Sequence, residues 1–183
     1  FSKKQKNKYV LFKYNEWIGK HPTGNLVNVL GDVDDLTNYY EYQLYCKSLN
    51  ASIQGFQRAT SLALKQRSKE EYKDDILQRF PNIEDRTNEE VFTIDTKASQ
   101  DFDDAMSIKE IDNDTKKISI YITNVYIWME VLNLWESFSE RIATIYLPDR
   151  KRPMLPTALS DCLCSLQQGQ DRFTFVLDVY IKN

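Results

Sequence analysis

Hydrophobic and polar positions alternate near the start of the chain. Aromatic and β-branched residues in this pattern predict two strands, at 9–14 and 26–31, separated by a turn at Pro22 and Gly24. Short strands with a Trp and a glycine-bounded turn are typical of the end of a small β-barrel of the OB or cold-shock type.

Helical spacing of apolar residues replaces alternation in the next region. The pattern predicts helices over 36–50, 56–67 and 70–80, and Pro81 ends the last of them. The polar stretch NIEDRTNEE then links these helices to the second half of the chain.

The second half returns to short strands. Apolar runs at 105–111 and 118–125 predict a hairpin, whose turn uses Asp112 and Asp114 for its own backbone and gives them no other role. Further predictions are a helix at 127–143, an extended segment at 144–147, an irregular proline-rich segment at 148–156 and a final alternating strand.

The amino-acid composition excludes several classes of protein. With 42% hydrophobic and 13% aromatic residues the chain is globular, and its net charge of −3 gives no overall basic surface for nucleic acid. Three cysteines without CxxC spacing and one histidine argue against a zinc site or a disulfide framework. No apolar run approaches the roughly 20 residues of a membrane span. We therefore expect an intracellular protein, cytoplasmic or nuclear with an organelle left open, that has no membrane partner.

The stretch TIDTKASQDFDDAMSI at 93–108 contains the candidate chemistry. Four carboxylates fall within ten positions, and they are Asp95, Asp101, Asp103 and Asp104. Apolar residues on both sides predict flanks packed in the interior, and these are Val91, Phe92, Ile94, Ala105, Met106 and Ile108. Carboxylates held partly out of water need cations, and all-oxygen ligands favour Mg²⁺ or Mn²⁺, which serve phosphate-ester cleavage. The residues alone leave a catalytic metal site and a solvated acidic turn both open.

The spacing of these aspartates also predicts local geometry. In an extended segment Asp101 and Asp103 lie on one face, whereas Asp104 points to the other face unless the backbone bends. We therefore expect a bend in this segment.

Several blocks of the sequence, in order, resemble the ribonuclease II / ribonuclease R family. TIDTKASQDFDDAMSI is similar to its TIDP-like strand end and D-x-D-D cluster, and ISIYITNV to its HIADVS-like strand. TIYLPDRKRPMLPTALSDCLCSL and DRFTFVLDV follow in the family order. More weakly, residues 17–34 resemble the cold-shock-like domain that precedes the catalytic (RNB) domain in members such as the hydrolytic subunit of the exosome.

The resemblance implies an α+β chain with three parts. These are the end of a cold-shock or OB-like barrel with its following helix (1–50), a helical connector (51–89) and the first half of a mixed α+β RNB domain (90–183). It implies a Mg²⁺-dependent, processive 3′-to-5′ exoribonuclease, with Mn²⁺ as the alternative ion, that releases nucleoside 5′-monophosphates from single-stranded RNA. An exosome-like or other RNA-decay complex would be its partner.

The resemblance also assigns residues. Asp95, Asp101, Asp103 and Asp104 are the implied catalytic metal ligands, and Tyr146 the aromatic that stacks on the 3′ nucleotide, with a core tyrosine as the alternative. Apart from the resemblance, Arg150, Arg152 and Arg172, together with Lys151, supply local positive charge that predicts contacts with RNA phosphates. An ordinary solvated basic loop is the alternative for Arg150, Lys151 and Arg152.

Two departures keep a second interpretation open. At 121–126 a histidine and an aspartate common in the family are replaced, and the family's catalytic domain, with its completing glutamate and arginine, continues beyond residue 183. We therefore expect the 183-residue chain to be an incomplete part of the enzyme. The alternative is a catalytically inactive RNB-like subunit that binds RNA or serves as a scaffold.

Overall fold

The computed structural model describes residues 6–97, 99 and 101–182. In chain order the strands are β1 Lys8–Glu16, β2 Thr23–Asp32, β3 Asp104–Glu110, β4 Thr115–Thr123, β5 Ile145–Tyr146, β6 Lys151–Arg152 and β7 Thr174–Lys182. The helices are α1 Leu36–Cys46, α2 Gln54–Gln66, α3 Lys69–Arg79 and α4 Val125–Val131, with a 3₁₀ turn at Trp135–Ser137 and a π-helix at Ala158–Cys164. The predicted mixed α+β class is therefore confirmed.

These elements divide into two units. The first contains the residues up to Ser52 together with Glu140–Arg152, and the second contains Ile53–Ser139 together with the residues from Pro153 onward. The domain boundaries at 50 and 89 inferred from the sequence stay predictions.

The first unit is built on an antiparallel pair of strands. β1 and β2 pair along their length and confirm the two predicted strands, and α1 follows, with its amino end capped by the carboxylate of Asp35. β5 and β6 form a second small antiparallel pair. The described residues of this unit form no closed barrel, so its cold-shock-like character stays a prediction.

The core of the second unit packs helices together. Phe56 of α2 and Tyr72 and Ile76 of α3 are buried together with Trp128 of α4 and Leu159 of the π-helix. The helices predicted at 56–67 and 70–80 are therefore confirmed. α3 begins with a capping box between Ser68 and Glu71, which satisfies backbone N–H groups of its first turn.

The helix predicted at 127–143 is wrong beyond its first turns. α4 ends at Val131, because Asn133 adopts a left-handed conformation (φ 52°) that an asparagine tolerates and a continuing helix does not. The π-helix was not predicted from the sequence. Among the helices of the described residues, none is long and apolar enough to cross a membrane.

The three-stranded sheet of the second unit has the order β3-β4-β7, with antiparallel pairs throughout, and β3 and β4 confirm the predicted hairpin. One face carries polar residues, with Ser119 paired to Ser107 and to Asp178. The opposite face carries apolar residues, of which Ile108 and Leu177 are more than half exposed.

This distribution corrects the predicted surroundings of the aspartates. Ala105 is buried as expected, but Val91, Phe92 and Ile94 are exposed, and Ile108 lies on the exposed apolar face of the sheet. The reason is that the face of β3 turned toward the protein carries Ala105 and Ser107, and the alternation of the strand places Ile108 opposite.

Candidate functional site: an acidic loop at the start of the three-stranded sheet

The four aspartates lie in one loop of the second unit. Phe92 and Met106 close the loop by exchanging two backbone hydrogen bonds, each 2.9 Å from nitrogen to oxygen. Within it, the N–H of Ser99 donates to the carbonyl of Thr96 and the two hydroxyl groups lie 3.0 Å apart, which forms a turn. All four predicted ligands thus lie between Phe92 and Met106, the two residues of this bridge.

The turn closed by Thr96 and Ser99 lies ahead of Asp101, and no bend occurs at Asp104, where one was expected to bring its side chain to the side of Asp101 and Asp103. Residues 101–103 lead without a turn into β3, whose first residue is Asp104. Asp95, Asp103 and Asp104 are exposed, and Asp101 is partly buried. By register Asp104 lies opposite Ile122, on the apolar face of the sheet.

The carboxyl-terminal arm of the loop is fixed by its backbone. Phe102 donates its N–H to the hydroxyl of Ser165 (3.1 Å) and accepts at its carbonyl from the N–H of Leu166 (2.9 Å). The carbonyl of Asp103 accepts from the N–H of Thr123 at 3.0 Å. The chain on both sides of Phe102 therefore has a defined direction before it enters β3.

The segment that enters the loop, residues 82–90, is held against the polar face of the sheet by an ion pair. Arg86 donates to both carboxylate oxygens of Asp178 at 2.9 Å each, and Ser119 donates to the same carboxylate at 2.6 Å. This two-bond pairing fixes the guanidinium in the plane of the carboxylate, which is the strongest form of such a contact.

A second carboxylate of the entering segment has its own partners. Glu89 accepts from the hydroxyl of Tyr121, from Ser107 at 3.2 Å and from the ammonium group of Lys117 at 3.1 Å. Because Glu89 is six residues before Asp95, this group ties the chain to the sheet just ahead of the loop.

The pKa values of these groups follow from their partners. Hydrogen bonds from Arg86 and Ser119 hold the pKa of the Asp178 carboxyl well below its usual range, and the bond from Tyr121, with that from Lys117, lowers the pKa of Glu89. In return Asp178 raises the pKa of Arg86, and Glu89 raises that of Lys117. All four groups are charged at neutral pH.

The donor chemistry of the loop suits a hard cation, but its arrangement is incomplete. The aspartates offer oxygen ligands only, and burial raises the pKa of the neighbouring thiol of Cys164 to about 12, so that thiol is protonated. Nowhere in residues 6–97, 99 and 101–182 do three His, Cys, Asp or Glu side chains gather closely enough to hold a metal ion. The metal role of the four aspartates thus stays a prediction.

Three of the predicted RNA contacts lie in the first unit, in the β5–β6 hairpin. Tyr146 is 70% exposed and so is not a core tyrosine. Arg150 is exposed beside Glu41, whereas Arg152 is buried and donates to the carboxylates of Glu41 and Asp149. An exposed ring and an exposed guanidinium are available to a ligand, and RNA contacts by all three remain predictions.

The fourth predicted RNA contact, Arg172, lies in the second unit after the π-helix. Its guanidinium donates to the backbone carbonyls of Ser165, Cys162 and Asp171, at 2.8 to 2.9 Å. Burial lowers the pKa of Arg172 from its ordinary value. Its RNA contact also remains a prediction.

Comparison with known families decides the identity of this region. The model of the RNB domain matches residues 83–183, which is more than half of the chain. The chain belongs to the RNB family. The match begins within the entering segment and includes both ion-pair groups, the acidic loop and the three-stranded sheet of the second unit.

Proteins similar in sequence to this chain occur in bacteria and eukaryotes. It is 29% identical over 168 residues to ribonuclease R of Thermotoga maritima, a match that covers 89% of the chain and 22% of that protein. It is 39% identical over 92 residues to ribonuclease R 2 of Lactococcus lactis, covering 50% of the chain and 14% of that protein. With DIS3-like exonuclease 2 of Xenopus tropicalis it shares 37% identity over 99 residues, or 54% of the chain and 12% of that protein. The RNB chain therefore spans between about an eighth and a fifth of the length of these relatives.

The segment that departs from the family pattern, 121–126, has structural partners in this RNB chain. Tyr121 donates to Glu89, and Asn124 caps α4 by accepting from the N–H of Ile127 at 3.1 Å. The backbone N–H of Asn124 also donates to the carbonyl of Phe173. The replaced positions thus contribute to the packing of the sheet and α4.

Sequence reasoning treated the residues that hold the loop as a polar linker. Arg86 and Glu89 lie in that stretch, and the oppositely charged sheet residues that they contact, Asp178 and Lys117, are 92 and 28 positions away. A usable signal was present in the strands, because Lys117, Ser119 and Tyr121 occupy alternate positions of β4 and Asp178 interrupts an apolar strand.

Proposed function

We propose that the protein to which this chain belongs is a hydrolytic 3′-to-5′ exoribonuclease that degrades single-stranded RNA to nucleoside 5′-monophosphates. The observation that carries the proposal is the RNB match over 83–183, which contains the four-aspartate loop. Relatives named ribonuclease R and exoribonuclease 2 support the same reaction class. Association with an RNA-decay complex is part of this proposal.

In this proposal Asp95, Asp101, Asp103 and Asp104 hold Mg²⁺, or Mn²⁺ in its place. Bound there, the ion would supply an activated water and stabilise negative charge on the phosphate and the leaving oxygen. The chain itself contributes the placement of the carboxylates. The Phe92–Met106 pair closes the loop, and the backbone contacts of Phe102 and Asp103 hold its second arm.

The first unit is proposed to contact the RNA strand. Tyr146 offers an exposed ring, and stacking an unpaired base on such a ring is worth about 1–3 kcal/mol whatever the base. Arg150 offers an exposed cation for a phosphate. In this proposal the residues up to 50 are the end of a cold-shock-like domain, which in other proteins binds single strands on its surface.

The second candidate is an inactive RNB-like subunit that binds RNA or acts as a scaffold. It is favoured by the use of Tyr121 and Asn124 in packing, at positions where the family commonly has a histidine and an aspartate. The two candidates differ in whether RNA is shortened.

Cleavage of a 5′-labelled single-stranded RNA by the full-length protein in magnesium separates the candidates. We expect stepwise shortening by the wild type and a loss of at least about a hundredfold in rate for Asp104→Asn, since metal ligands stabilise charge that develops in the transition state. RNA binding should change by only about threefold or less, because many phosphate and stacking contacts hold the strand.

The matched control is Asp114→Asn, which removes the same charge from the exposed turn between β3 and β4. It should cleave like the wild type. No cleavage by any of the three proteins would support the inactive subunit, and equal cleavage by the wild type and Asp104→Asn would remove the acidic loop from the mechanism.

A further inference from the structure

The acidic loop is fixed at the residue between two of its aspartates. Both backbone polar groups of Phe102 are bound by neighbouring residues of one segment, its N–H by the hydroxyl of Ser165 and its carbonyl by the N–H of Leu166. Asp101 and Asp103 are covalently attached on either side. The backbone angles at Phe102 therefore set the relative direction of these two side chains.

Ser165 is suited to this contact because it is fully buried, with no exposed surface. It directly follows the π-helix Ala158–Cys164, at a point where the chain turns extended. A buried hydroxyl has no water to replace a lost protein partner, so its bond to Phe102 restrains both segments.

Arg172 holds Ser165 in place from the other side. Its Nε donates to the carbonyl of Ser165 at 2.8 Å, and one terminal nitrogen donates to the carbonyl of Cys162 at 2.9 Å. The other terminal nitrogen donates to the carbonyl of Asp171 at 2.9 Å and to the side chain of Gln170 at 3.4 Å. The planar, forked group thus binds several acceptors at once, which a lysine ammonium on a flexible stem does not reproduce.

We propose that Ser165 and Arg172 are positioning residues that set the direction of Asp101 and Asp103 through the backbone of Phe102. The consequence for catalysis rests on the proposed function. The alternative is that Arg172 binds an RNA phosphate, in which case its positive charge, and not its hydrogen bonds to the backbone, is required.

Hydrogen exchange and kinetics on the full-length protein test the proposal together. In Ser165→Ala the amide of Phe102 loses its acceptor, so exchange in a peptide covering 101–107 should be at least about tenfold faster. Exchange in α2 and α3 should stay unchanged. We expect kcat to fall by about tenfold or more, with KM within about twofold, because RNA contacts are intact while the aspartates are misplaced.

The matched control is Ser137→Ala, which removes a hydroxyl bound to a backbone carbonyl elsewhere in the second unit. It should change neither exchange at 101–107 nor kcat. Arg172→Lys and Arg172→Gln separate the two roles of the arginine. Positioning predicts that both lower kcat alike, whereas phosphate binding predicts that Arg172→Lys keeps activity and Arg172→Gln raises KM.

Unchanged exchange at 101–107 in Ser165→Ala would overturn the proposal, as would faster exchange with an unchanged kcat. A wild type that cleaves no RNA would instead contradict the proposed function. In that case the exchange measurements alone decide whether Ser165 and Arg172 fix the loop.

Discussion

Two sets of carboxylates in the second unit differ in the source of their countercharge. Asp178 and Glu89 are partly buried against the polar face of the sheet, and the chain supplies them with Arg86 and Lys117 as countercharges. Asp95 and Asp104 are exposed at the surface of the loop. The first set stabilises the fold, and the position of the second set leaves it accessible to a cation from solution.

The comparison teaches that residue type alone does not assign a role to an aspartate. Asp178 lies in the middle of β7, where burying an unpaired carboxylate destabilises the fold. The two hydrogen bonds from Arg86 and the third from the hydroxyl of Ser119 offset this desolvation cost. The loop aspartates follow one another closely, with Asp95, Asp101 and Asp103 outside the strands and Asp104 at the very start of β3. Their proximity is unfavourable for the fold by itself and is consistent with a binding role.

Arg86→Met gives the largest expected effect on stability. It leaves the carboxylate of Asp178 without its cation, and since both side chains are about one-fifth exposed we expect a loss of about 2–3 kcal/mol in the free energy of unfolding. Urea unfolding of the chain, followed by tryptophan fluorescence, measures this.

Lys73→Met is the control, because Lys73 and Asp171 form an exposed ion pair in the same unit. It should leave the unfolding midpoint nearly unchanged. If Arg86→Met were no more destabilising than Lys73→Met, Asp178 would not be a structural carboxylate. The distinction between the two sets of carboxylates would then be contradicted.

Lowering the pH should remove the contribution of Asp178 and Glu89 to the free energy of unfolding. The pKa values of Asp178 and Glu89 are lowered in the folded chain, below the roughly 3.9 and 4.3 of unfolded Asp and Glu. Their stabilisation is therefore fully present above about pH 5 and is lost as the pH falls through the lower folded pKa values.

Unfolding free energies at pH 7, 5 and 4 in the wild type and in Glu89→Gln/Asp178→Asn check this. We expect the difference between the two proteins to stay constant from pH 7 to 5 and to shrink by about 1 kcal/mol toward pH 4. A difference that is independent of pH down to 4 would show that these carboxylates are not coupled to protonation as their partners imply.

Sequence patterns predicted the local elements well. Alternation located β1, β2 and the β3–β4 hairpin, and helical spacing located α2 and α3, because each of these depends on neighbouring residues. The end of α4 depends on the left-handed backbone of Asn133, which the apolar residues of 134–143 concealed.

The acidic segment is visible in the sequence, but the contacts that hold it in the fold are not. The order of the aspartates gave the loop, whereas the contacts that hold it join residues far apart in the chain, such as Phe102 with Ser165. The exposure of Val91, Phe92 and Ile94 was also missed, because the apolar character of a residue does not show whether other residues cover it.

Calorimetric titration of the full-length protein with Mn²⁺ tests the distinction between the two sets most directly. We predict that the wild type and Asp178→Asn bind Mn²⁺ with similar affinity, and that Asp101→Asn/Asp104→Asn binds it more than about tenfold more weakly. Equal Mn²⁺ affinity in the wild type and in Asp101→Asn/Asp104→Asn would contradict the assignment of the acidic loop as the metal site.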